Sequence, residues 1–295
     1  MKQLLILSGK GGTGKTTIAG AFIKLSQAQA YADCDVDAPN LHLITSHTAP
    51  KHSAAYYGLP KAQINPARCI ACDQCRQHCR FNAITVNPTY AADIFACEGC
   101  RLCAYICPAD AVSMQPHAAG ELMLYAKENE TFSTAQLQMG SGTSGMLVSE
   151  VKKQLRSAAG NAPFAVIDGS PGIGCPVIAS LSGVDWVLIV AEPSISGIHD
   201  MERIVDTAAK FGVQTAVCIN KYDTNTQKSE EIEALCKQRR LAFTGKIPFD
   251  PKAVTAANNG SVIIDIACPS GDAVKTIYKN TMQLFLNNPI QSQTP

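Results

Sequence analysis

The stretch that decides the fold runs from Gln3 to Thr17 and reads Gln-Leu-Leu-Ile-Leu-Ser-Gly-Lys-Gly-Gly-Thr-Gly-Lys-Thr-Thr. Its first six residues form an apolar run typical of a buried strand, and an apolar helical segment follows from Ile18 to about Ala28. Strand, glycine-rich loop and helix are the context that a G-x4-G-K-[S/T] phosphate loop needs. A plain glycine-rich turn is the alternative.

The phosphate loop predicts a nucleotide site with a bound magnesium ion. Its glycines let backbone N–H groups close around phosphate oxygens, and the helix N-terminus adds its partial positive charge. Lys15 is expected to reach the β- and γ-phosphates, and Thr16 to ligate Mg²⁺. The residues expected to bind nucleotide here are Gly9, Lys10, Gly11, Gly12, Thr13, Gly14, Lys15, Thr16 and Thr17.

Two cysteine runs of equal spacing lie further along the chain. Each reads C-x2-C-x2-C-x3-C, and the second repeats the first 28 residues later. This is the ligand spacing of two-cluster bacterial ferredoxins, in which the fourth cysteine of each run reaches the other cluster. A zinc ribbon, the alternative, uses paired C-x2-C units. The spacing therefore predicts two [4Fe–4S] clusters, one held by Cys69, Cys72, Cys75 and Cys107 and the other by Cys97, Cys100, Cys103 and Cys79.

A second lysine, Lys10, directly follows the first glycine of the phosphate loop. The loop thereby resembles the deviant phosphate loop of the MinD/ParA group, which includes the nitrogenase iron protein. Asp33–Leu41 resembles the first switch of that group, and Phe164–Pro176 resembles its Walker B strand and second switch. Together with the cysteine runs, nearly the whole chain resembles the MinD-superfamily ATPases that carry a ferredoxin domain within the fold.

The resemblance implies roles for further residues. Lys10 is expected to cross a dimer interface to the nucleotide of the partner. Asp168, which ends an apolar strand, is expected to hold Mg²⁺ through water; a turn-capping aspartate is the alternative. Asp35 is expected to position or activate the attacking water, with Asp37 as the alternative.

The residues expected at the nucleotide base leave two interpretations. Asn220-Lys-Tyr-Asp223 matches the N-K-x-D base pattern of GTPases. The resemblance instead assigns Asn220 to adenine, with Pro248 and Asp250 nearby, and so predicts ATP.

Composition excludes several classes of protein. A net charge of +1 without a basic block argues against a nucleic-acid partner. No apolar run approaches the ~20 residues of a membrane span, so membrane association is not expected. Eight of the thirteen cysteines are expected cluster ligands, and with the ATP site they indicate a reduced cytoplasm. Of the others, Cys175 lies in the second switch, where a metal bridging two copies is an alternative to a free thiol.

The order of elements predicts an α/β fold, a doubly wound and mostly parallel sheet with a small inserted α+β domain. We expect a discontinuous ATPase domain over 1–47 and 117–287, a ferredoxin domain over 64–116, and a flexible tail over 288–295. Residues 42–63 are expected to form a loop, and 121–126 with 131–139 an extra hairpin. The C-terminal helix, 271–286, is expected to pack on the sheet.

The leading functional hypothesis is an ATP-hydrolysing electron carrier that passes electrons to a redox or metalloprotein partner. It would form a nucleotide-dependent homodimer, or a heterodimer with a paralogue. A chaperone that delivers an iron–sulfur cluster or metal is the first alternative. A spatial regulator of the MinD/ParA kind, with clusters as redox sensors, is the second.

Overall fold

The computed structural model describes residues 1–45 and 49–287. The predicted tail, 288–295, therefore lies outside the described residues, as do positions 46–48 of the predicted loop.

A nine-stranded sheet forms the centre of the described chain. From one edge to the other its strands are β13 (Ala242–Ile247), β12 (Gln214–Asn220), β11 (Trp186–Ala191), β1 (Lys2–Leu7), β10 (Phe164–Asp168), β2 (Ala30–Asp33), β9 (Glu130–Leu137), β8 (Ala118–Lys127) and β3 (Lys51–Tyr57). The strands from β13 to β9 are parallel, whereas β8 and β3 are antiparallel to their neighbours. The sheet is thus mostly parallel, as the alternating order of elements predicts.

Helices cover both faces of the sheet. One face carries α4 (Ser144–Ala158), α5 (Cys175–Leu181), α6 (Ile195–Lys210) and α7 (Thr226–Gln238). The other face carries α1 (Lys15–Ser26), α8 (Pro251–Asn258) and α9 (Pro269–Asn287). In β1, Leu5 and Leu7 join the first core, while Leu4 and Ile6 join the second, because successive side chains of a strand point to opposite faces. The doubly wound fold class is confirmed.

The predicted hairpin is present as β8 and β9, which pair from Gly120↔Leu137 to Lys127↔Glu130. The predicted packing of the C-terminal helix is also observed. Val274, Ile277 and Phe285 of α9 are buried in the core that α1 shares. Within residues 1–45 and 49–287, no helix is long and apolar enough to span a bilayer.

The expectation of a loop over residues 42–63 is wrong. This stretch contains β3 and a further strand, β4 (Lys61–Ile64). β3 is an edge strand with mostly exposed side chains, and Tyr56 is its one buried residue. It pairs with β8 from Lys51↔Tyr125 to Tyr57↔Ala118, so the large sheet continues beyond residue 47. An edge strand that is buried on one side lacks the continuous apolar pattern by which inner strands are identified in a sequence.

Residues 58–117, here called the insert, connect β3 to β8. The insert contains two small antiparallel sheets, β4 with β7 (Val112–Gln115) and β5 (Ile84–Val86) with β6 (Tyr90–Ala92). Its two short helices are α2 (Gln74–Gln77) and α3 (Leu102–Tyr105). β4 pairs with β7 from Lys61↔Gln115 to Ile64↔Val112, so this unit starts before residue 64.

Candidate functional site

The nucleotide motifs meet at the carboxyl edge of the central strands. The phosphate loop follows β1, Asp168 ends β10, and Asp33 ends β2 in register with Asp168. β1 and β2 lie on either side of β10, so the three strand ends converge on the N-terminus of α1. Ligands of open α/β sheets bind at this edge.

Two glycines of the phosphate loop have backbone conformations that favour glycine. Gly12 has φ 76° and Gly14 has φ 88°, both in the left-handed region. A Cβ at Gly14 would also lie 2.3 Å from the Asn220 amide nitrogen. That amide group donates a hydrogen bond to the Thr13 carbonyl oxygen at 2.7 Å. Asn220 therefore holds the loop from the end of β12.

Lys15, Thr16 and Asp168 form one cluster below the loop, in which the side chains of Lys15 and Asp168 are buried. The Lys15 ammonium lies 2.5 Å from Asp168 Oδ1, and the Thr16 hydroxyl donates to Oδ2 at 2.7 Å. Burial acts to lower the pKa of Lys15. The charge of Asp168 and its hydrogen bond to Lys15 outweigh burial, the charges of Asp33 and Asp35 add to this effect, and the pKa of Lys15 is raised. Lys15 is thus held charged, and the Thr16 hydroxyl and the Asp168 carboxylate are oxygen groups of the kind that Mg²⁺ prefers.

Asp33 anchors the segment that resembles the first switch. Its carboxylate accepts hydrogen bonds from the backbone N–H groups of Asp35 (3.0 Å), Asn40 (2.9 Å) and Leu41 (2.9 Å). The side chain is fully buried, and burial together with the Asp168 charge raises its pKa. We did not assign a site role to Asp33 from the sequence. Its place at a strand end, like that of Asp168, is the signal that could have found it.

Asp35 and Asp37 lie on this anchored loop and line the pocket around the phosphate loop. Asp35 is half-buried, whereas Asp37 is exposed. Burial raises the pKa of Asp35 to about 6; Lys15 opposes this shift, while Asp168 and Asp37 add to it.

Lys10 points to the end of β11. Its ammonium lies 2.7 Å from Glu192 Oε2 and donates to the Ser194 hydroxyl at 3.3 Å. Lys221 reaches the other carboxylate oxygen of Glu192 at 3.4 Å and donates to the Gly12 carbonyl at 3.0 Å. Burial acts to raise the pKa of Glu192, but the two lysines outweigh it and lower that pKa. Glu192 is not among the residues predicted from the sequence, although it directly follows the buried strand β11.

A second, apolar pocket adjoins the phosphate pocket and shares Gly12, Gly14 and Thr17 with it. The expected base residues Asn220, Pro248 and Asp250 all line it. The Asp250 carboxylate caps α8 through the Lys252 N–H (3.0 Å) and accepts from the Ser270 hydroxyl (3.0 Å). Asp223 accepts a hydrogen bond from the Phe249 N–H at 2.7 Å. Asp223 therefore fixes the backbone at Phe249, a residue that lines this pocket.

The segment that resembles the second switch is tied to both neighbouring loops. The Ser170 hydroxyl donates to the Cys34 carbonyl at 2.5 Å, and the Gly172 N–H donates to the Ser8 carbonyl at 3.0 Å. Cys175 is exposed at the start of α5. Residues 169–174 therefore connect the phosphate loop and the loop after β2 to the start of α5.

The two cysteine runs share one backbone conformation. Positions with positive φ recur at an offset of 28 residues, as Ala71 and Gly99, Asp73 and Arg101, and Asn82 and Asp110. The short helices α2 and α3 show the same offset. So do two hydrogen bonds, from the Ala83 N–H to Cys79 Sγ (3.4 Å) and from the Ala111 N–H to Cys107 Sγ (3.3 Å).

The insert brings together the cysteines of each expected ligand set. Cys69, Cys72, Cys75 and Cys107 line one cavity, although Cys107 comes from the second run. Cys79 of the first run packs with Cys97 and Cys103. Burial raises the pKa of Cys103, and the nearby thiols Cys97 and Cys100 raise it further. Among the described residues, no group of three or more His, Cys, Asp or Glu side chains is arranged to hold a single metal ion.

Comparison with known proteins gives a family match over most of the chain. Residues 4–263 match the model of the CobQ/CobB/MinD/ParA nucleotide binding domain. The "Uncharacterized protein MJ0578" of Methanocaldococcus jannaschii is 29% identical over 292 residues, which cover 96% of this chain and 97% of that protein. The "Uncharacterized ATP-binding protein MJ0547" of the same organism is 25% identical and covers 96% of this chain and 87% of its own length.

Among solved structures, the septum site-determining protein MinD of Pyrococcus horikoshii, complexed with Mg-ADP, has the same fold. Its TM-score is 0.58 at 17% identity, and the match covers 96% of each chain.

Proposed function

Because the chain belongs to the CobQ/CobB/MinD/ParA nucleotide-binding family, we propose that it is an ATP-hydrolysing protein that couples nucleotide state to electron transfer. The electrons would pass through two [4Fe–4S] clusters in the insert to a metalloprotein partner. The observation that carries this proposal is the repeated backbone of the two cysteine runs, with each run giving its fourth cysteine to the other set.

Phosphate and magnesium are assigned to the buried cluster beneath the phosphate loop. Lys15 would bind the β- and γ-phosphates, and Thr16 would ligate Mg²⁺, with Asp168 reaching the ion through water. The charged state of Lys15 and the 2.7 Å contact of Thr16 with Asp168 support these roles. Mg²⁺ binding would require the Lys15–Asp168 contact to open, so that Lys15 can turn to the phosphates.

Water attack on the γ-phosphate is assigned to Asp35. The carboxylate lines the phosphate pocket, and its raised pKa keeps it close to the range in which a carboxylate exchanges protons near neutral pH. Orientation of the water and neutralisation of charge account for most of the rate in phosphoryl transfer. Asp37, which lines the same pocket but is exposed, is the alternative.

Adenine is assigned to the apolar pocket beside the phosphate loop. A GTPase would use the aspartate of N-K-x-D to bind guanine, but here Asp223 accepts a hydrogen bond from the Phe249 backbone. Asn220 is likewise engaged with Thr13. The pocket that remains is mostly apolar and suits the face of an adenine ring, with Pro248 and Asp250 at its wall.

Two cubane clusters suit the donor sets of the insert better than single ions do. A cubane distributes its four thiolates over four iron atoms, so the sulfur atoms lie further apart than the ligands of one ion. Soft thiolates select iron–sulfur clusters, and each fourth cysteine already accepts a backbone N–H. Such hydrogen bonds to sulfur are one of the features that set a cluster potential. The clusters supply one-electron transfer when they are bound.

A nucleotide-dependent dimer is part of the proposal. Lys10 forms an ion pair with Glu192 of its own protomer. If Lys10 acts on the nucleotide of a partner, this ion pair must break on dimerisation. The partner would be a second copy or a paralogue, in a reduced cytoplasm that preserves the cluster thiolates.

Delivery of a cluster to an acceptor protein is the second candidate. Cys72 and Cys100 are exposed, so one thiolate of each set lies open to an acceptor. A spatial regulator is the third candidate function, supported by the similarity in fold to a MinD protein. Against it, the apolar face of the C-terminal helix α9 packs in the same core as α1 and is therefore not available to bind a membrane.

Anaerobic redox titration with MgATP, MgADP and no nucleotide tests the proposal. We expect ATP, more than ADP, to shift the midpoint potential of at least one cluster, because a ligand shifts an equilibrium only through its differential affinity. A coupling of ~1–3 kcal/mol corresponds to roughly 5- to 150-fold in ATP affinity between redox states. Potentials that do not respond to nucleotide would contradict the proposal, and transfer of iron to an apo-acceptor would favour delivery.

A further inference from the structure

The insert is attached at the same edge of the sheet as the phosphate loop. Tyr57 pairs with Ala118 where the chain leaves and re-enters the sheet, and Gly120 pairs with Leu137 at the carboxyl end of β9. β9 is parallel to β2, whose carboxyl end carries Asp33. Residues 138–143, here called the bracket loop, follow β9 and therefore lie beside both the insert and the nucleotide edge.

The bracket loop contacts the second cysteine run directly. A Cβ at Gly142 would lie 2.9 Å from Oε2 of Glu98, which stands between Cys97 and Cys100. A Cβ at Gly140 would lie 3.6 Å from the ring of Phe95. No side chain fits at Gly142 unless Glu98 moves. The second run thus rests against the backbone of this loop.

The bracket loop leads directly into α4, and α4 holds α5 at both ends. A Cβ at Gly145 would lie 3.1 Å from the Cys175 carbonyl oxygen, so the two helices approach closely at their start. At the other end, the buried Lys152 ammonium donates to the carbonyls of Ser180 and Ser182, each at 2.6 Å. Burial lowers the pKa of Lys152 to about 8. Three contacts to carbonyl oxygens bind α5 to α4, so that a shift of one helix moves the other.

α5 begins immediately after residues 169–174, which carry Ser170 and its bond to the first switch loop. A continuous series of contacts therefore links the nucleotide edge of the sheet to α5, α5 to α4, and α4 through the bracket loop to Glu98. The first run differs at the matching position. Ile70, 28 residues before Glu98, is 65% exposed, and the cavity of its run is lined by Ile64, Tyr90 and Val112 of the insert itself.

We infer that the cluster held by Cys97, Cys100, Cys103 and Cys79 is the one that responds to nucleotide, through the contact of Glu98 with the bracket loop. The inference rests on the proposed function and assigns different roles to the two clusters. The cluster held by Cys69, Cys72, Cys75 and Cys107 would not respond, because the residues that line its cavity belong to the insert itself. When bound, the two clusters would supply one-electron transfer to the partner.

The test is iron release to a ferrous chelator from the anaerobically purified full chain, with and without MgATP. In the wild type, ATP should change the release rate of about half of the iron by roughly 5-fold or more. Cys100→Ala, which removes a ligand of the second cluster, should abolish this response, whereas Cys72→Ala should retain it. The reverse pattern would overturn the inference.

A variant with every ligand intact gives a second readout. Gly142→Ala places a Cβ against Glu98 and should reduce the ATP response of the iron-release rate to near unity, with ATP binding unchanged. Ser141→Ala, in the same loop but without an added atom, is the matched control and should respond as the wild type does. Equal responses of the two variants would overturn the inference.

Two measurements on the same samples separate this inference from the proposed function. A wild-type chain that lacks iron or does not bind ATP would overturn the proposed function, and this inference with it. A chain that carries both clusters, binds ATP and responds through the first cluster alone would overturn only the role of Glu98 and the bracket loop.

Discussion

The Lys15 ammonium and the Asp168 carboxylate form a buried ion pair at 2.5 Å, with side-chain exposures of 5% and 0%. The two groups expected to bind the phosphates and the magnesium ion thus compensate each other's charge, since an unpaired buried charge is costly. MgATP would replace this buried pair by two others, Lys15 with phosphate and the ion with Asp168.

Lys15→Ala should weaken ATP binding strongly and also destabilise the chain. Removing one partner leaves the buried Asp168 carboxylate without its counterion, which typically costs about 3–5 kcal/mol. Titration calorimetry would measure the binding and chemical denaturation the stability. The matched control is Lys24→Ala on the same helix, because Lys24 pairs with Asp265 at 2.7 Å on the surface. The control should change the free energy of unfolding by less than about 1 kcal/mol. Equal effects of the two changes would contradict the structural role of the buried pair.

Lys10→Ala should leave ATP binding by the monomer mostly intact while abolishing turnover and ATP-dependent dimerisation. This lysine contacts Glu192 and Ser194 of its own protomer, and its proposed partner is a nucleotide across an interface. Light scattering with ATP would measure the dimer, and phosphate release the turnover. Lys275→Ala, which breaks an exposed pair with Asp272, should behave as the wild type does. Full turnover in the Lys10 variant would exclude the role across the interface.

ATP hydrolysis at low substrate should rise with pH up to about pH 6 and then level off. The raised pKa of Asp35, about 6, means that the carboxylate that would orient water is protonated below that pH. The pH profile of kcat/KM reports groups of the free enzyme. Asp35→Asn should abolish turnover and keep ATP bound. If Asp37→Asn loses turnover instead, Asp37 is the group that acts on the water.

The same pKa predicts how stability varies with pH. Between about pH 4, the usual value for Asp, and pH 6, the folded chain retains a proton that the unfolded chain releases. Stability therefore falls as pH rises through this window, and the cost is complete above pH 6. Asp35→Asn should stabilise the chain at pH 7.5 by about 1 kcal/mol, discounted because Asp35 is partly exposed to solvent. At pH 4 the gain should vanish; an equal gain at both pH values would contradict the shifted pKa.

The anaerobically purified chain should contain about eight iron atoms, and Cys72→Ala about four, because eight thiolates suit two cubanes. Cys236→Ala is the control, since Cys236 lies on the buried face of α7 and packs in the core of the large sheet, outside the insert. It should retain the full iron content. Stoichiometric zinc with little iron in the wild type would refute the cluster assignment.

Strands buried on both faces were predictable from the sequence, and the edge of the sheet was not. β1 and the strand that Asp168 ends, β10, lie where the sequence predicts strands, because both read as apolar runs. β3 reads Lys-His-Ser-Ala-Ala-Tyr-Tyr, and only Tyr56 is buried. Its place depends on pairing with β8, a contact between residues far apart in the chain that no local pattern encodes.

The site shows the same division between local and long-range information. Motif spacing identified the phosphate loop and both cysteine runs, since these depend on neighbouring residues. It did not identify Glu192 as the partner of Lys10, because that pair joins the ends of β1 and β11. Nor did it identify the carboxylate of Asp33 as the anchor of the loop with Asp35, since that role depends on backbone N–H groups.

The pairing of Tyr57 with Ala118 has a consequence for the history of the chain. The insert leaves and enters the sheet at neighbouring positions of adjacent antiparallel strands, where a hairpin turn would suffice. A module attached in this way can be gained or lost in evolution while the sheet keeps its strand order, because a short turn closes the gap. The ATPase and the cysteine module can therefore have separate ancestors. Selection after their fusion would then have acted first on the few residues where they touch.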